Sequence, residues 1–495
     1  MWLRDYLFGA KDINGKMSIL TITHLNARMM KINSTLSVLC LLLFALPLSA
    51  THNRAGEITY RQIDALTIEA TVVTYTKASS VAADRDTLTI EWGDGAFSKA
   101  PRVNGGGFGE LLAFDIKLNY YVAVHTYADE GAYSVSMTDP NRNGGVLNVD
   151  FPNSINIPFH LQAEINVFAD PGISNQSVVL LEPPIDLAQI GQPFIHIPNG
   201  FDPDGDSVAY EFITPMMGVD EPVPNYLLLT EVMPGPDNTL TLDPVTGQLT
   251  WASPQQEGEY NVAILVKSYR DGELFESTIR DMQILVMNLN NTFPSCLIDI
   301  SQDEVVEVMV GDTVIVEVTA TDDDVDQNLA LSSTSGLYSS DYFDSPAQFS
   351  TSGGGNTAGG TMEWIVKPEH ARHEPYLVVF KAKDDYLNMG YAAFALARFR
   401  AIDPNATAVD EVRAEIPELK LFPNPATDLL TLTTDAANLP AEYSIWSIEG
   451  QLLQTGLLTS PVEQLSLQQL VTGQYVLRLI GRKGTTSRIF STIRR

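Results

Sequence analysis

Residues 194–206 read Phe-Ile-His-Ile-Pro-Asn-Gly-Phe-Asp-Pro-Asp-Gly-Asp, and residues 314–326 read Val-Ile-Val-Glu-Val-Thr-Ala-Thr-Asp-Asp-Asp-Val-Asp. Each stretch begins three residues after a glycine, Gly191 or Gly311, and runs from an apolar, strand-like segment into a loop of alternating aspartates. Equal spacing over this length indicates an internal repeat, which is typical of modules arranged in series. The two stretches therefore predict a tandem architecture.

The similarity extends beyond the acidic loops. Trp251 and Trp364 are each followed within four residues by a proline, and then by a strand that starts near Tyr260 or Tyr376. Because the signals keep their order in both copies, we expect the two segments to share one strand order and to place their tryptophans at equivalent positions.

The rest of the chain shows short alternating segments, such as residues 66–72 and 88–92, broken by Gly, Pro, Asn and Asp. This pattern is typical of half-buried strands joined by turns, and no long stretch of helical period is present. An all-β fold of tandem β-sandwiches is therefore predicted. Beyond residue 50 there are four tryptophans, one for each predicted module: Trp92, Trp251, Trp364 and Trp446.

The charge is concentrated in the middle of the chain. The 495 residues carry a net charge of −31, but residues 1–50 are net positive and residues 411–495 are neutral. The central body is acidic enough to repel nucleic acid and anionic membranes. We therefore expect no nucleic-acid partner, and expect either a soluble surface protein or one that holds cations.

Residues 36–48 form an apolar run behind basic residues and end in a small-residue site at Ala50. This pattern predicts a secretory signal peptide, with residues 1–28 as an upstream extension that is not part of it. No later run is long enough to span a membrane, so the mature chain is expected to have no transmembrane segment. Cys40 lies within the signal peptide, which leaves Cys296 without a disulfide partner and most simply a small buried hydrophobe.

The last 75 or so residues carry a series of spaced motifs. Residues 421–425 read Leu-Phe-Pro-Asn-Pro, alternation follows through Leu430 and Leu432, and residues 473–479 read Gly-Gln-Tyr-Val-Leu-Arg-Leu. This order resembles the C-terminal sorting domain of the type IX secretion system. The resemblance implies the type IX translocon as a partner and a location at the outer cell surface or in the medium.

The body also resembles known surface modules. Residues 243–251 resemble cadherin-like and immunoglobulin-like bacterial modules, residues 92–95 with 125–127 resemble a PKD-type sandwich, and residues 51–58 resemble the start of gliding-motility-associated surface proteins. The predicted domains are 1–50 (extension and signal peptide), 51–160 (PKD-like), 161–290 and 291–402 (cadherin/Ig-like), 403–418 (linker) and 419–495 (sorting domain).

The acidic loops are the best candidates for chemistry. Three carboxylates two residues apart converge when the chain turns tightly, and hard oxygen ligands of this kind suit Ca²⁺. A metal-free Asx turn, solvated at the surface, is the alternative. The predicted Ca²⁺ ligands are Asp202, Asp204, Asp206, Asp322, Asp324 and Asp326.

Catalytic signatures are missing from the sequence. There is no Gly-x-Ser-x-Gly elbow and no His-Glu-x-x-His pair. The pair His370 and His373 has no evident third metal ligand, and His125 is expected to be hydrogen-bonded at a strand end. We therefore predict a non-enzymatic binding or adhesion protein, with a surface glycan or a matrix protein as its ligand. The alternatives are an accessory carbohydrate-binding protein and an enzyme of unfamiliar type.

Overall fold

The computed structural model describes residues 53–81, 84–112, 115–170, 175–386, 390–404, 419–434, 436–447, 452–481 and 484–493. Almost every regular element in them is a β-strand, which confirms the all-β prediction. The chain divides into two compact units, residues 1–402 and 403–495. The predicted signal peptide and most of the predicted linker lie outside the described residues. Nowhere in the described ranges does a helix reach the length and apolarity that a membrane crossing needs.

The first eight strands, which make up the first segment, form two antiparallel ladders in the orders β1–β2–β6–β5 and β4–β3–β7–β8. Their bounds are β1 Asn53–Asp64, β2 Thr67–Lys77, β3 Thr87–Glu91, β4 Phe97–Pro101, β5 Glu110–Leu111, β6 Ile116–Thr126, β7 Gly131–Asp139 and β8 Phe159–Val167. The predicted boundary between residues 160 and 161 falls inside β8, because all nine residues of β8 pair with β7.

Eleven further strands follow in the second segment. Their bounds are β9 Val179–Leu180, β10 Leu187–Gln189, β11 Phe194–His196, β12 Gly200–Phe201, β13 Ser207–Ile213, β14 Met216–Gly218, β15 Glu221–Pro222, β16 Leu240–Leu242, β17 Leu249–Trp251, β18 Gly258–Arg270 and β19 Glu273–Met287. The helical pieces in the described part of the first unit are short: the α-helix Leu229–Val232 and the 3-10 turns Gly105–Gly107, Ser154–Asn156, Gly336–Tyr338 and Pro368–His370.

Strand β19 links the first two segments. It pairs with β8 through Ser277 and Thr278, and with β1 through Asp281, which lies opposite Gly56. The two ladders of the first segment and the long strands of the second therefore belong to one twelve-stranded sheet. A side chain at position 56 has no room, because a Cβ there would lie 2.6 Å from the carbonyl oxygen of Val73.

The third segment is a sandwich of two four-stranded sheets, β20–β22–β25–β24 and β21–β27–β26–β23. Its strands are β20 Ser295–Ile298, β21 Val305–Met309, β22 Thr313–Thr321, β23 Ala330–Thr334, β24 Gln348–Gly354, β25 Thr357–Ile365, β26 Tyr376–Lys383 and β27 Ala392–Ile402. Its inward-facing residues alternate along β22 with exposed ones, as the period of two requires.

The predicted repeat is present in the strand order. In the second segment β10 runs parallel to β19, which pairs with β18, and β18 pairs with β13; in the third β21 runs parallel to β27, which pairs with β26, and β26 pairs with β23. The registers agree as well, because Phe194 pairs with Trp251 and Val314 pairs with Trp364. The two copies therefore share one topology.

The second unit consists of a three-stranded sheet, β28–β29–β32, and a four-stranded sheet, β31–β30–β33–β34. Its elements are β28 Lys420–Phe422, β29 Leu429–Thr433, the 3-10 turn Ala436–Asn438, β30 Ala441–Ser447, β31 Leu452–Leu458, β32 Val462–Ser466, β33 Gly473–Gly481 and β34 Gly484–Thr492. Leu430 and Leu432 are fully buried, as the alternation predicts.

Three of the four tryptophans anchor separate cores. Trp92, Trp251 and Trp364 are each at most 1 % exposed and belong to three different clusters of buried hydrophobic residues. Trp446 is only half-buried, and the core of the second unit is built mainly from leucines. Cys296 is buried in the third core, where burial raises the pKa of its thiol to about 11.

Candidate functional site

The second-segment acidic loop turns around one buried carboxylate. Asp202 follows β12 directly and is fully buried. Its Oδ1 accepts hydrogen bonds from the backbone N–H groups of Asp204, Gly205 and Asp206, at 2.9, 3.1 and 3.3 Å. Gly205 has a φ of +92°, a conformation that other residues resist. The loop therefore closes by local hydrogen bonds of the Asx type.

An arginine from a distant strand meets this loop. The Arg270 guanidinium contacts Asp206 with two parallel hydrogen bonds, Nε to Oδ1 at 2.9 Å and Nη2 to Oδ2 at 2.8 Å. It also lies 3.6 Å from Asp204, whose Oδ2 accepts the backbone N–H of Gln176 at 2.6 Å. A bidentate guanidinium is a strong and directional partner for a carboxylate. Arg270 therefore already supplies positive charge to this loop.

Behind the loop lies a further buried acid, Glu276 of β19. The Tyr60 hydroxyl donates to its Oε2, while its Oε1 is without a hydrogen-bond partner among the described residues. Burial raises the pKa of Glu276 to about 8, and the nearby charges of the acidic loop act in the same direction. Burial and the charge of Asp206 likewise raise the pKa of Asp202 to about 6.

The third-segment acidic loop is arranged differently. Asp322 is 4 % exposed, and its Oδ1 accepts the backbone N–H of Asp324 at 2.8 Å. Its Oδ2 is buried without a partner in the described part of the chain. Burial raises the pKa of Asp322, and the charges of Asp384 and Asp324 raise it further. Asp326 is exposed.

Two amides and a second buried carboxylate complete this cluster. Asn291 donates through Nδ2 to Asp384 at 2.9 Å and accepts from Nε2 of Gln327 at 2.7 Å. Within the described ranges the buried Oε1 of Gln327 has no partner. The backbone N–H of Thr292 donates to Asp324 at 2.9 Å. The loop is therefore tied to the segment that joins β19 to β20.

The repeat shows why the two loops differ in charge. Tyr260 of β18 and Tyr376 of β26 are equivalent in the repeat. The residue eight positions after each is Ser268 in the second segment and Asp384 in the third. Ser268 donates to Asp202 at 2.9 Å, whereas Asp384 adds a carboxylate beside Asp322. Burial lowers the pKa of Lys383, and the charge of the neighbouring Asp384 opposes that shift. The second-segment loop thus has a bidentate arginine, whereas the third-segment carboxylates, which are Asp322, Asp324 and Asp384, have the nearby charge of Lys383.

In the described residues, no group of three or more His, Cys, Asp or Glu side chains is placed so that it could hold a metal ion. The two predicted aspartate trios lie in separate segments, as their places in the repeat imply, and Arg270 pairs with Asp204 and Asp206 of the first trio. Gln327 and Asp384 stand near the second trio and were not predicted from the sequence. The Ca²⁺ assignments stay predictions.

The histidines have structural contacts. His370 is fully buried, where its Nδ1 accepts from Nε1 of Trp364 at 3.2 Å and from the backbone N–H of Lys367 at 2.9 Å. His373 is exposed beside Glu374, so the two imidazoles have separate surroundings. His125 stacks on Trp92 and lies 2.7 Å from Asp94, as expected for a hydrogen-bonded histidine near a strand end.

A buried ion cluster that the sequence did not predict lies between the second and third segments. Lys381 of β26 lies 2.6 Å from Asp186 and 3.4 Å from Glu182, and His196 lies 3.3 Å from the same Asp186. Burial alone would raise the pKa of Asp186, but Lys381 and His196 hold it well below its usual range. The cluster fixes the third segment against the second.

Comparison with known proteins identifies the tail. The model of the family "Secretion system C-terminal sorting domain" matches residues 420–491, which confirms the predicted sorting domain. No curated protein matches the chain.

Similar solved structures match the chain at very low identity. Domains A168–A170 of titin are 11 % identical, cover 64 % of this chain and 97 % of their own, and superpose with a TM-score of 0.16. The cadherin-like domains 1 to 4 of zebrafish RET are 8 % identical, with 83 % and 93 % covered and a TM-score of 0.15. Dimeric latent PorU from Porphyromonas gingivalis is 14 % identical, with 66 % and 35 % covered and a TM-score of 0.14. Superpositions this poor carry no argument about this chain.

Proposed function

We propose that this protein is exported through the type IX secretion system and acts outside the cell as a binding or adhesion protein without catalysis of its own. The match of residues 420–491 to the sorting domain is the observation that carries the proposal. In this scheme the N-terminal signal peptide delivers the chain across the inner membrane, and the C-terminal unit addresses it to the outer-membrane translocon.

The form of the body supports a binding role. Within one compact unit, the first and second segments share a sheet and a buried ion pair, and the second and third segments share buried ion pairs and a core contact. The histidines that would be candidates for acid–base chemistry, His125 and His370, are held in contacts with tryptophans. A rigid stack with such contacts is suited to displaying a surface to a glycan or a matrix protein.

The proposal includes a Ca²⁺ site in the third-segment acidic loop. The predicted ligands Asp322, Asp324 and Asp326 gain Gln327 and Asp384 as further oxygen donors nearby, and oxygen-rich, irregular sites suit Ca²⁺. A cation there would neutralise Asp322, whose buried Oδ2 is without a partner among the described residues. It would also stiffen the connection between β19 and β20, since Asn291 and Thr292 belong to the same cluster.

Export is tested by removing the tail. Deleting residues 419–495 should leave the protein in the periplasm, measured by cell fractionation and immunoblotting of periplasm, cell surface and medium. A matched control carries residues 419–495 fused to an unrelated periplasmic protein, which should reach the surface or the medium. Arrival of the truncated chain at the surface would reject the type IX assignment.

Carbohydrate binding is a second candidate, favoured by one observation. Two arginines outside any ion pair of the described residues, Arg372 and Arg398, line a single cavity between the second and third segments. A glycan array and a matrix-protein panel, each with millimolar Ca²⁺ and with chelator, distinguish this role from protein adhesion.

A further inference from the structure

The first unit contains a cavity of about 80 Å³, with both polar and apolar lining, where the second and third segments meet. It is lined on one side by the end of β12 and the acidic loop, and on the other by the residues around the start of β26 and the facing part of β27. The lining residues that matter for recognition are Asp202, Asp206, Thr246, Arg372, Glu374 and Arg398.

Arg372 is held rigidly at this cavity. Its Nε donates to the carbonyl oxygen of Glu374 at 3.0 Å, and its Nη1 donates to the carbonyl oxygen of Asp202 at 3.1 Å. The guanidinium carbon lies 5.3 Å from the ring centre of Phe201 and 4.9 Å from that of Tyr376. A guanidinium carries five N–H donors; two make these bonds and a third interacts with the Tyr376 hydroxyl, so two remain for a ligand.

Arg398 has an unused donor as well. It stands on β27 opposite Leu377 and donates through Nη2 to the carbonyl oxygen of Asp303. Its Nε–H is buried and has no hydrogen-bond partner among the described residues. Burying a donor without a partner is unfavourable, and each such group in a native protein calls for an explanation. A bound acceptor would supply the missing partner.

The two carboxylates on the opposite wall are already engaged. Asp206 pairs with Arg270, and Asp202 accepts from Ser268 and from three backbone N–H groups. Neither carboxylate forms an ion pair with Arg372 or Arg398, and their remaining lone pairs can accept hydrogen bonds from hydroxyl groups. Two further carboxylates lie near the arginines: Glu374, which pairs with His373, lines the cavity, and the charge of Asp243 acts on Arg398. The cavity therefore presents guanidinium donors on one side and hydrogen-bond acceptors on the other.

We propose that this cavity binds the acid group of an acidic sugar, either a uronic-acid carboxylate or a sugar sulfate, through Arg372 and Arg398. Planar forks of N–H donors match such oxyanions, and the hydroxyls beside the acid group suit the acceptors on the opposite wall. The inference rests on the proposed binding function and names its ligand class.

The charge of the protein limits the ligand further. The net charge of −31 repels long polyanions at a distance. A terminal or isolated acidic sugar therefore suits the site better than a densely charged polymer.

Isothermal titration calorimetry on the purified full-length protein tests the site. The probes are glucuronic acid and galactose 6-sulfate, with galactose as the neutral sugar and a short acidic peptide as the competing class. We compare wild type, Arg398→Gln and Arg400→Gln. Arg400 lies two residues further along the same strand and pairs with Glu307, and it does not line the cavity, so its replacement removes the same charge elsewhere.

At least one acidic sugar should bind wild type and Arg400→Gln equally, and Arg398→Gln should weaken it about tenfold to a hundredfold. Melting temperatures of the two variants should agree, because each replacement removes one hydrogen bond from an arginine to a backbone carbonyl, that of Arg398 to Asp303 or that of Arg400 to His373. Equal binding of galactose, tighter binding of the peptide, equal affinities of the two variants, or no binding of either acid would overturn the inference. If wild type and both variants bind another glycan or a matrix protein with equal affinity, the cavity assignment is overturned and the proposed function stands.

Discussion

Phe201 of the second segment lies in the hydrophobic core of the third, pressed against Gly336. A Cβ on Gly336 would lie 2.2 Å from the Phe201 ring, which is closer than atoms can approach. Phe201 belongs to the same buried cluster as Trp364 and Tyr376. The two segments therefore share a core contact in addition to the ion pairs of Lys381, and should unfold together rather than as independent modules.

Replacing Gly336 with alanine should destabilise this junction by about 1–3 kcal/mol, because overpacking forces shifts in a dense core. Urea unfolding followed by tryptophan fluorescence measures the change. Gly354→Ala is the matched control, since a Cβ there would meet nothing within 4 Å. Equal midpoints for the two variants would contradict the packing described for Phe201.

Lys381→Met should destabilise the first unit by about 3–5 kcal/mol, because it leaves the buried carboxylates of Asp186 and Glu182 without their cation. The double variant Lys381→Met with Asp186→Leu should recover much of this loss. Chemical denaturation of the single and double variants gives the coupling. Additive losses would show that the Lys381–Asp186 pair is not energetically coupled.

Calcium should stabilise the protein through the third segment. Extracellular modules often bind Ca²⁺ with dissociation constants of about 0.1–1 mM, so about 10 mM should add roughly 1.4–2.7 kcal/mol per site. The shift in melting temperature between Ca²⁺ and chelator should disappear in Asp322→Asn and persist in Asp204→Asn, because Arg270 already faces the second loop. A shift that follows Asp204 would place the ion in the second segment, and no shift in wild type would leave only metal-free turns.

Stability should fall as the pH rises from about 4.5 to 8. The pKa of Glu276 is raised by burial to about 8 in the folded protein. A group with a raised folded pKa contributes stability that is complete below its unfolded pKa and is lost as the pH rises through the folded value, by up to about 1.4 kcal/mol per pH unit. Asp202, raised to about 6, acts in the same direction over its own range.

Denaturation midpoints measured from pH 5 to 9 check this dependence. Glu276→Gln should flatten the profile and raise stability at pH 8, since an uncharged amide still accepts from the Tyr60 hydroxyl. Glu273→Gln, at an exposed position on the same strand, should leave the profile unchanged. A Glu276→Gln profile that matches wild type would contradict the burial argument.

Much of the fold could be predicted because its signals are local. Period-two alternation predicts strands, and the repeat of 194–206 in 314–326 predicted a shared strand order that the pairings of Trp251 and Trp364 display. The tail was predicted from motifs that the family match at 420–491 confirms. These features depend on the neighbours of each residue along the chain, which the sequence states directly.

What only the tertiary structure decided depends on residues far apart in the chain. The two acidic loops look alike in sequence. Arg270, 64 positions beyond Asp206, nevertheless contacts the second-segment loop, while Asp384 adds a like charge to the third-segment loop. In the same way β19 joins strands of the first segment, so the predicted modules share a sheet. Periodicity fixes which face of a strand is buried, but the charge that arrives from another strand sets what each loop can bind.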